Sequence, residues 1–311
     1  MRTSGILATI ALSIAALAGS ARADPRAWTA ARTGLPGDTK VVIGIDVAAI
    51  QKTQMFAKLF PRLRERPDVA KVIDRIKDSC KIDPVLAIQG MVVATAEDSE
   101  DGAVYLAMTG VDRARLSSCL QVASQDGHKD TEITVKQSGN VTAVIEGADT
   151  AFLGWVGKDV VVFSFKTGDK ASLARWMGGK GALSKSGVSK VLGKVNTAAA
   201  VWGAATGTKE LQPGMTAKGG YGALIYTKGS VGADIHAVME SAAQASTAAT
   251  TATQQLTAVK DAGQLPPELA AVMKAITVSA DRDEVRIKAT VSEGDLMAAI
   301  TSAMAAFGGG L

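Results

Sequence analysis

The chain has 311 residues, a formal charge of +4, two cysteines, two histidines and only 13 Phe, Trp and Tyr residues together. That length holds one large or two ordinary domains, and the apolar content excludes intrinsic disorder, which needs low hydrophobicity and high net charge. The modest charge excludes a strongly basic nucleic-acid binder.

Residues 1–23 read as a secretory leader. Arg2 supplies the positive start, an apolar run follows from Ile6 to Ala18, and Ala21 and Ala23 make a small-x-small cleavage pattern. The run is too short to span a bilayer core of ~30 Å, and no later stretch reaches the ~20 apolar residues of a membrane-spanning helix. Removing the leader takes Arg2 and Arg22 with it. That leaves 288 residues with 32 basic against 30 acidic side chains, a net charge of +2. The expected destination is the periplasm or the extracellular space, where disulfides persist.

The first expected strand covers residues 39–47. Val41, Ile43, Ile45 and Val47 alternate with Val42, Gly44, Asp46 and Ala48. The apolar set is expected under helices. The small set is expected to pack on another sheet or to leave a shallow groove for a peptide or lipid.

Residues 52–81 concentrate positive charge. Lys52, Lys58, Arg62, Arg64, Arg66, Lys71, Arg75, Lys77 and Lys81 stand against Glu65, Asp68, Asp74 and Asp78. Phe56, Leu59, Phe60 and Leu63 give the first part an apolar side, and Pro67 opens a second amphipathic helix through Val69, Val72, Ile73 and Ile76. Two readings stand: a core-facing stripe with a solvated outer face, or a basic amphipathic helix lying on anionic lipid. In the second, Lys52, Lys58, Arg62, Arg64, Arg66, Lys71 and Arg75 make the contact.

From residue 91 a unit recurs four times: strand, tight turn, strand, polar cap, helix. The strand pairs are 91–96 with 103–109, 151–156 with 160–165, 222–226 with 231–238, and 276–280 with 284–291. Period-2 alternation marks the strands. Asp112, Asp169, Ser241 and Ser292 stand where an N-cap belongs, and Ser241 with Gln244 has capping-box spacing. The Ala- and Thr-rich residues 241–263 are expected to form a partly exposed helix, with a flexible linker as the competing reading. A second Pro-started helix follows Pro266 and Pro267, and a second leading strand at 197–205 matches the one at 39–47. The expected fold is therefore α+β, with antiparallel hairpins, helices on one face and an internal duplication: a module at 24–194 and another at 195–311, meeting near residues 178–193.

The opening Val41-Val42-Ile43-Gly44-Ile45-Asp46 and the ending Leu265-Pro266-Pro267-Glu268-Leu269, followed by a hairpin and helix, resemble those of uncharacterised secreted bacterial α+β proteins. The resemblance covers most of the mature chain and implies no activity and no site residues.

Cys80 ends the Pro67 helix and Cys119 lies in the helix after the first hairpin. A helix–hairpin–helix path returns both to one side of a sheet, so a disulfide is expected, worth about 4 kcal/mol on chain-entropy grounds. Cys-x-x-Cys spacing is missing, which disfavours a thiol-redox site.

The search for chemistry finds little. His128 sits in a polar loop and His236 on a strand, neither with zinc-ligand spacing. Gly-x-Ser-x-Gly and Ser-x-x-Lys signatures are absent. The glycines at 177–181 lack phosphate-loop spacing and read as a flexible connection. Glu97, Asp98, Glu100 and Asp101 crowd one turn without the spacing of a calcium loop. No cofactor, metal or catalytic residue is assigned. The functional expectation is a non-catalytic envelope protein that binds a protein partner or a hydrophobic, lipid-like ligand. The alternatives are a metal-independent hydrolase using scattered Asp and Glu, and a structural or assembly role.

Overall fold

The computed structural model describes residues 25–97, 100–125, 133–146, 148–166, 168–212, 214–261 and 266–306. The expected leader and His128 lie outside the described residues. The strands are β1 (Val41–Ile45), β2 (Ile88–Thr95), β3 (Gly102–Met108), β4 (Ile133–Ser138), β5 (Val141–Glu146), β6 (Asp149–Val156), β7 (Val160–Ser164), β8 (Val201–Gln212), β9 (Met215–Thr227), β10 (Ser230–Met239), β11 (Thr277–Asp281) and β12 (Glu284–Ser292). The helices are α1 (Pro25–Gly34), α2 (Val47–Ile50), α3 (Gln54–Arg64), α4 (Pro67–Cys80), α5 (Pro84–Ala87), α6 (Arg113–Gln125), α7 (Lys170–Met177), α8 (Gly187–Leu192), α9 (Ala242–Asp261), α10 (Pro267–Ala275) and α11 (Glu293–Ala306), with a 3-10 turn at Ala182–Lys185.

All the strands join one antiparallel sheet in the order β11-β12-β10-β9-β8-β1-β2-β3-β7-β6-β5-β4. The fold is mixed α+β. The four expected hairpins are the pairs β2–β3, β6–β7, β9–β10 and β11–β12. All four expected caps accept a backbone N–H: Asp112 from Arg115, Asp169 from Ala171 and Ser172, Ser241 from Gln244, and Ser292 from Asp295. Three further hairpins, β4–β5, β5–β6 and β8–β9, were not expected. The two Pro-started helices are not counterparts, because α4 precedes β2 whereas α10 follows β10 and α9.

The helices do not keep to one face. Val160, Val161 and Val162 are consecutive on β7 and all buried, so both sides of that strand need cover. Val160 and Val162 lie in a cluster with Ala27 and Leu35, with Leu173 and Trp176 of α7, and with Val188 of α8. Val161 lies in the opposite cluster with Leu153, Trp155, Cys80 and Cys119. Cys80 and Cys119 form the disulfide that ties the end of α4 to α6, with Cα atoms 4.6 Å apart.

The expectation for β1 is reversed. Val42 is fully buried on the α1 side, while Ile43 on the other side is 38% exposed. The small side is covered because it lets a large group approach: a Cβ on Gly44 would lie 2.1 Å from the Trp202 indole. The glycine-rich connection is not flexible either. Gly179 N–H donates to Gly34 O at 2.8 Å, Gly181 N–H to Thr33 O at 2.9 Å, and Leu183, Val188 and Leu192 are buried.

A third cluster forms where α9 lays Ala245 and Ala249 on Ala217, Met239 and Val285. α9 is the surface helix expected from composition. Thr247, Thr250 and Thr253 are tolerated within it because each hydroxyl donates to the carbonyl four residues back, at 3.0, 2.9 and 2.7 Å.

Candidate binding trough

Ile43 pairs with Gly203, Gly203 with Gly222, Gly222 with Ile235 and Ile235 with Ile287. Directly paired residues point the same way, so these five share one row on one face. Ile43, Ile235 and Ile287 are 38%, 45% and 37% exposed. The two glycines between them carry no side chain, and Ile43 and Ile235 lean towards them, with Cγ1 atoms 3.6 and 3.1 Å from where a Cβ would stand on Gly203 and Gly222. The row crosses β1, β8, β9, β10 and β12, four strand spacings or about 19 Å. It continues under cover through Val93, Val104 and Phe163.

Helices flank this trough. α9 packs at the Met239 end of the strands. At the other end α11 starts beside the β9–β10 turn, where Glu293 N–H donates to Gly229 O at 3.0 Å. Buried Glu293 also accepts the Gln54 N–H at 3.1 Å, which fastens the start of α3 to the start of α11. Burial raises the pKa of Tyr226 above the usual phenol value, and the Glu293 carboxylate adds to the rise. From α11 the contacts run through α3 and α4 to α6, a helical chain that crosses the seam between β1 and β8.

The basic residues fall on this chain. Lys52 precedes α3; Lys58, Arg62 and Arg64 lie on it; Arg66 caps α4; Lys71 and Arg75 lie on α4. Arg64 pairs with Asp74 at 2.6 Å, so it serves the α3–α4 turn. Lys58 and Arg62 face a cleft of about 660 Å³ shared with Glu268, Met297 and Ser302. The stripe on α3 does not face the core: none of its residues is buried. Phe56 and Phe60 stack on each other at 4.9 Å, half-buried, and Leu63 is 45% exposed.

Titratable groups gather on the other face of β9, β10 and β12. His236 stacks on Tyr221 at 4.4 Å, with Nδ1 2.9 Å from Glu284 Oε2 and Nε2 3.1 Å from Asp234 Oδ1. Glu284 also accepts from Tyr221 at 2.7 Å and Lys194 at 2.5 Å, and Asp234 from Arg286 at 2.8 and 2.7 Å. Burial pushes the Glu284 carboxyl up, but hydrogen bonds from Lys194, Tyr221 and His236 outweigh it and hold it below the usual range. The Arg286 guanidinium does the same for Asp234. Each strong donor meets an acceptor, which makes a closed structural array.

Asp101 is taken into the fold by Arg175 at 2.6 Å and Trp176 Nε1 at 2.8 Å, which removes it from the acidic turn; Asp98 lies outside the described residues. Among the described residues no group of three or more His, Cys, Asp or Glu is placed to hold a metal ion. No described helix is long and apolar enough to cross a membrane. The trough was missed in the sequence because its row is assembled from five strands; the signal that existed was the run of glycines in two long strands, Gly203 and Gly222 among them.

No protein-family model matches the chain, and no curated protein matches it by sequence. Among solved structures it is similar to the Treponema protein TP0453. Crystal form III of that protein aligns at 11% identity and a TM-score of 0.47, over 88% of this chain and 97% of the other. Crystal form I aligns at 12% identity and a TM-score of 0.44, over 88% and 96%.

Proposed function

We propose that the protein is a non-catalytic, exported envelope protein that binds a hydrophobic ligand of the acyl-chain class across the trough. One observation carries this reading: Ile43, Ile235 and Ile287 stay exposed in a single row that includes two glycines and that helices flank. A sheet face that served only the fold would have its isoleucines covered, as Val161 is. Covering the three would recover roughly 1 kcal/mol apiece. The ~19 Å length exceeds the ~15 Å of half a bilayer core, which one acyl chain spans. Export rests on the leader pattern at residues 1–23, and the Cys80–Cys119 disulfide is in keeping with it.

Displacement of a fluorescent fatty acid from the purified protein tests the proposal. Ile235→Glu places a charge in the trough without touching a covered side chain. It is expected to weaken binding at least tenfold while thermal unfolding stays within a few degrees. Equal binding by the variant, or none by the wild type, would refute the reading.

We infer, further, that the two halves arose by duplication of one module. Outward from the β1–β8 seam the order is β2, β3, β7, β6 on one side and β9, β10, β12, β11 on the other. In both, a hairpin leads to a helix, then to a hairpin that inserts in reverse order, then to a closing helix. The β4–β5 hairpin and the α2–α5 segment are the additions of the first half.

A further inference from the structure

The face opposite the trough holds a cavity of about 740 Å³ between α1 and the connection that joins the two halves. We propose that it is a separate ligand site, for a planar aromatic carboxylate. The volume falls within the ~300–1,000 Å³ of small-molecule sites.

Trp28 forms one wall. It stands edge-on to the buried Trp202, ring centroids 4.9 Å apart and planes at 73°, so its orientation is set before anything binds. Leu183, Leu192 and Val195 supply the rest of the apolar lining. Arg32 lies four residues after Trp28 on α1, hence on the same side of the helix. It is the one charged group among the lining residues, and it makes no hydrogen bond or ion pair with any described residue.

Three of the hydroxyls at the rim have already spent their protons. Thr33 donates to Thr29 O at 3.1 Å, Ser184 to Gly181 O at 2.8 Å and Ser189 to Ser184 O at 3.0 Å. Among the lining side chains the one charged donor is the Arg32 guanidinium, a flat fork that matches a carboxylate with two parallel hydrogen bonds. A planar ring then fits between that fork and the indole of Trp28, where aromatic contact adds to simple burial. A cation would meet Arg32 as a like charge, and a neutral ligand would leave it without a counter-charge.

Calorimetric titration of the whole protein with 2-naphthoate tests the site, with 2-naphthamide as the neutral isostere. Saturable one-to-one binding of naphthoate is expected, with naphthamide about tenfold weaker or worse. Arg32→Gln, at an exposed position, is expected to bring naphthoate down to the naphthamide level without lowering the melting temperature, and Arg32→Lys to restore part of the difference. No saturable naphthoate binding below about 1 mM, equal affinity for the two probes, or an unaffected Arg32→Gln variant would overturn the proposal. Ile235→Glu, on the other face, is expected to leave naphthoate binding unchanged. Loss of binding there would put the probe in the trough and likewise overturn a second site.

Discussion

Gly44 is where one hydrogen atom decides the packing of the central strands. The Trp202 ring lies where a Cβ would be, at 2.1 Å, and Trp202 in turn positions Trp28. Gly44→Ala is therefore expected to cost roughly 1–3 kcal/mol, read as a lower urea midpoint with an unchanged slope. Glu284 is the other residue whose replacement has a defined readout. It collects Lys194, Tyr221 and His236, and its carboxyl and that of Asp234 sit below their ordinary pKa values. A depressed carboxylate stabilises the fold above its unfolded value of about 4.3 for Glu and 3.9 for Asp, and that contribution is lost as pH falls through the folded value. Stability is thus expected to drop below about pH 4.5. Glu284→Gln is expected to lower stability by about 1–3 kcal/mol at pH 7 and to flatten the acid limb of a denaturation series. An unchanged acid limb would show that Glu284 does not carry it.

At the scale of elements, strands and caps are legible because their signals are local. Val285, Ile287, Ala289 and Val291 alternate with charged or polar neighbours, and Asp169 or Ser292 caps whatever helix follows. What covers a face is not local. Ile43 and Val42 are neighbours of equal apolarity, and only Gly44 and the distant Trp202 decide that Val42 is buried. α1 escapes notice because Ala27, Ala30 and Ala31 carry its buried side without apolar bulk. The β4–β5 hairpin, though it turns at Gly139 in the left-handed region, is short and outside the fourfold pattern. α3 shows the same limit. Its amphipathic pattern fits a core helix, yet nothing on it is buried, so its half-covered Phe56–Phe60 pair, Lys58 and Arg62 remain available at the surface. We expect α3 to bind anionic vesicles at low salt, with Lys58→Glu together with Arg62→Glu abolishing co-flotation. Flotation of the double variant equal to wild type would remove the membrane reading of this helix.

For the molecule as a whole, residues 194 and 195, where the division was expected, lie on the connection into β8, and the strand order runs outward from β8 and β1 on either side. The two halves share one sheet and one buried cluster, in which Val42 and Trp202 meet. The basic excess of residues 52–81, visible in composition alone, is placed on the helical chain that links the halves across the trough face. The two proposed ligand surfaces stand on opposite sides of the same seam, which no reading of either half by itself would reveal.

The seam has a consequence for how the protein is made. β1 is the first of the described strands in the chain, yet one of its two edges is satisfied only by β8. A chain delivered N-terminus first holds Val41-Val42-Ile43-Gly44-Ile45 as an unpaired, uncharged edge until Val201–Gln212 has followed it through. Such an edge is a template for pairing with other chains. During that interval fast folding or a chaperone is what keeps copies of β1 from finding one another before β8 arrives.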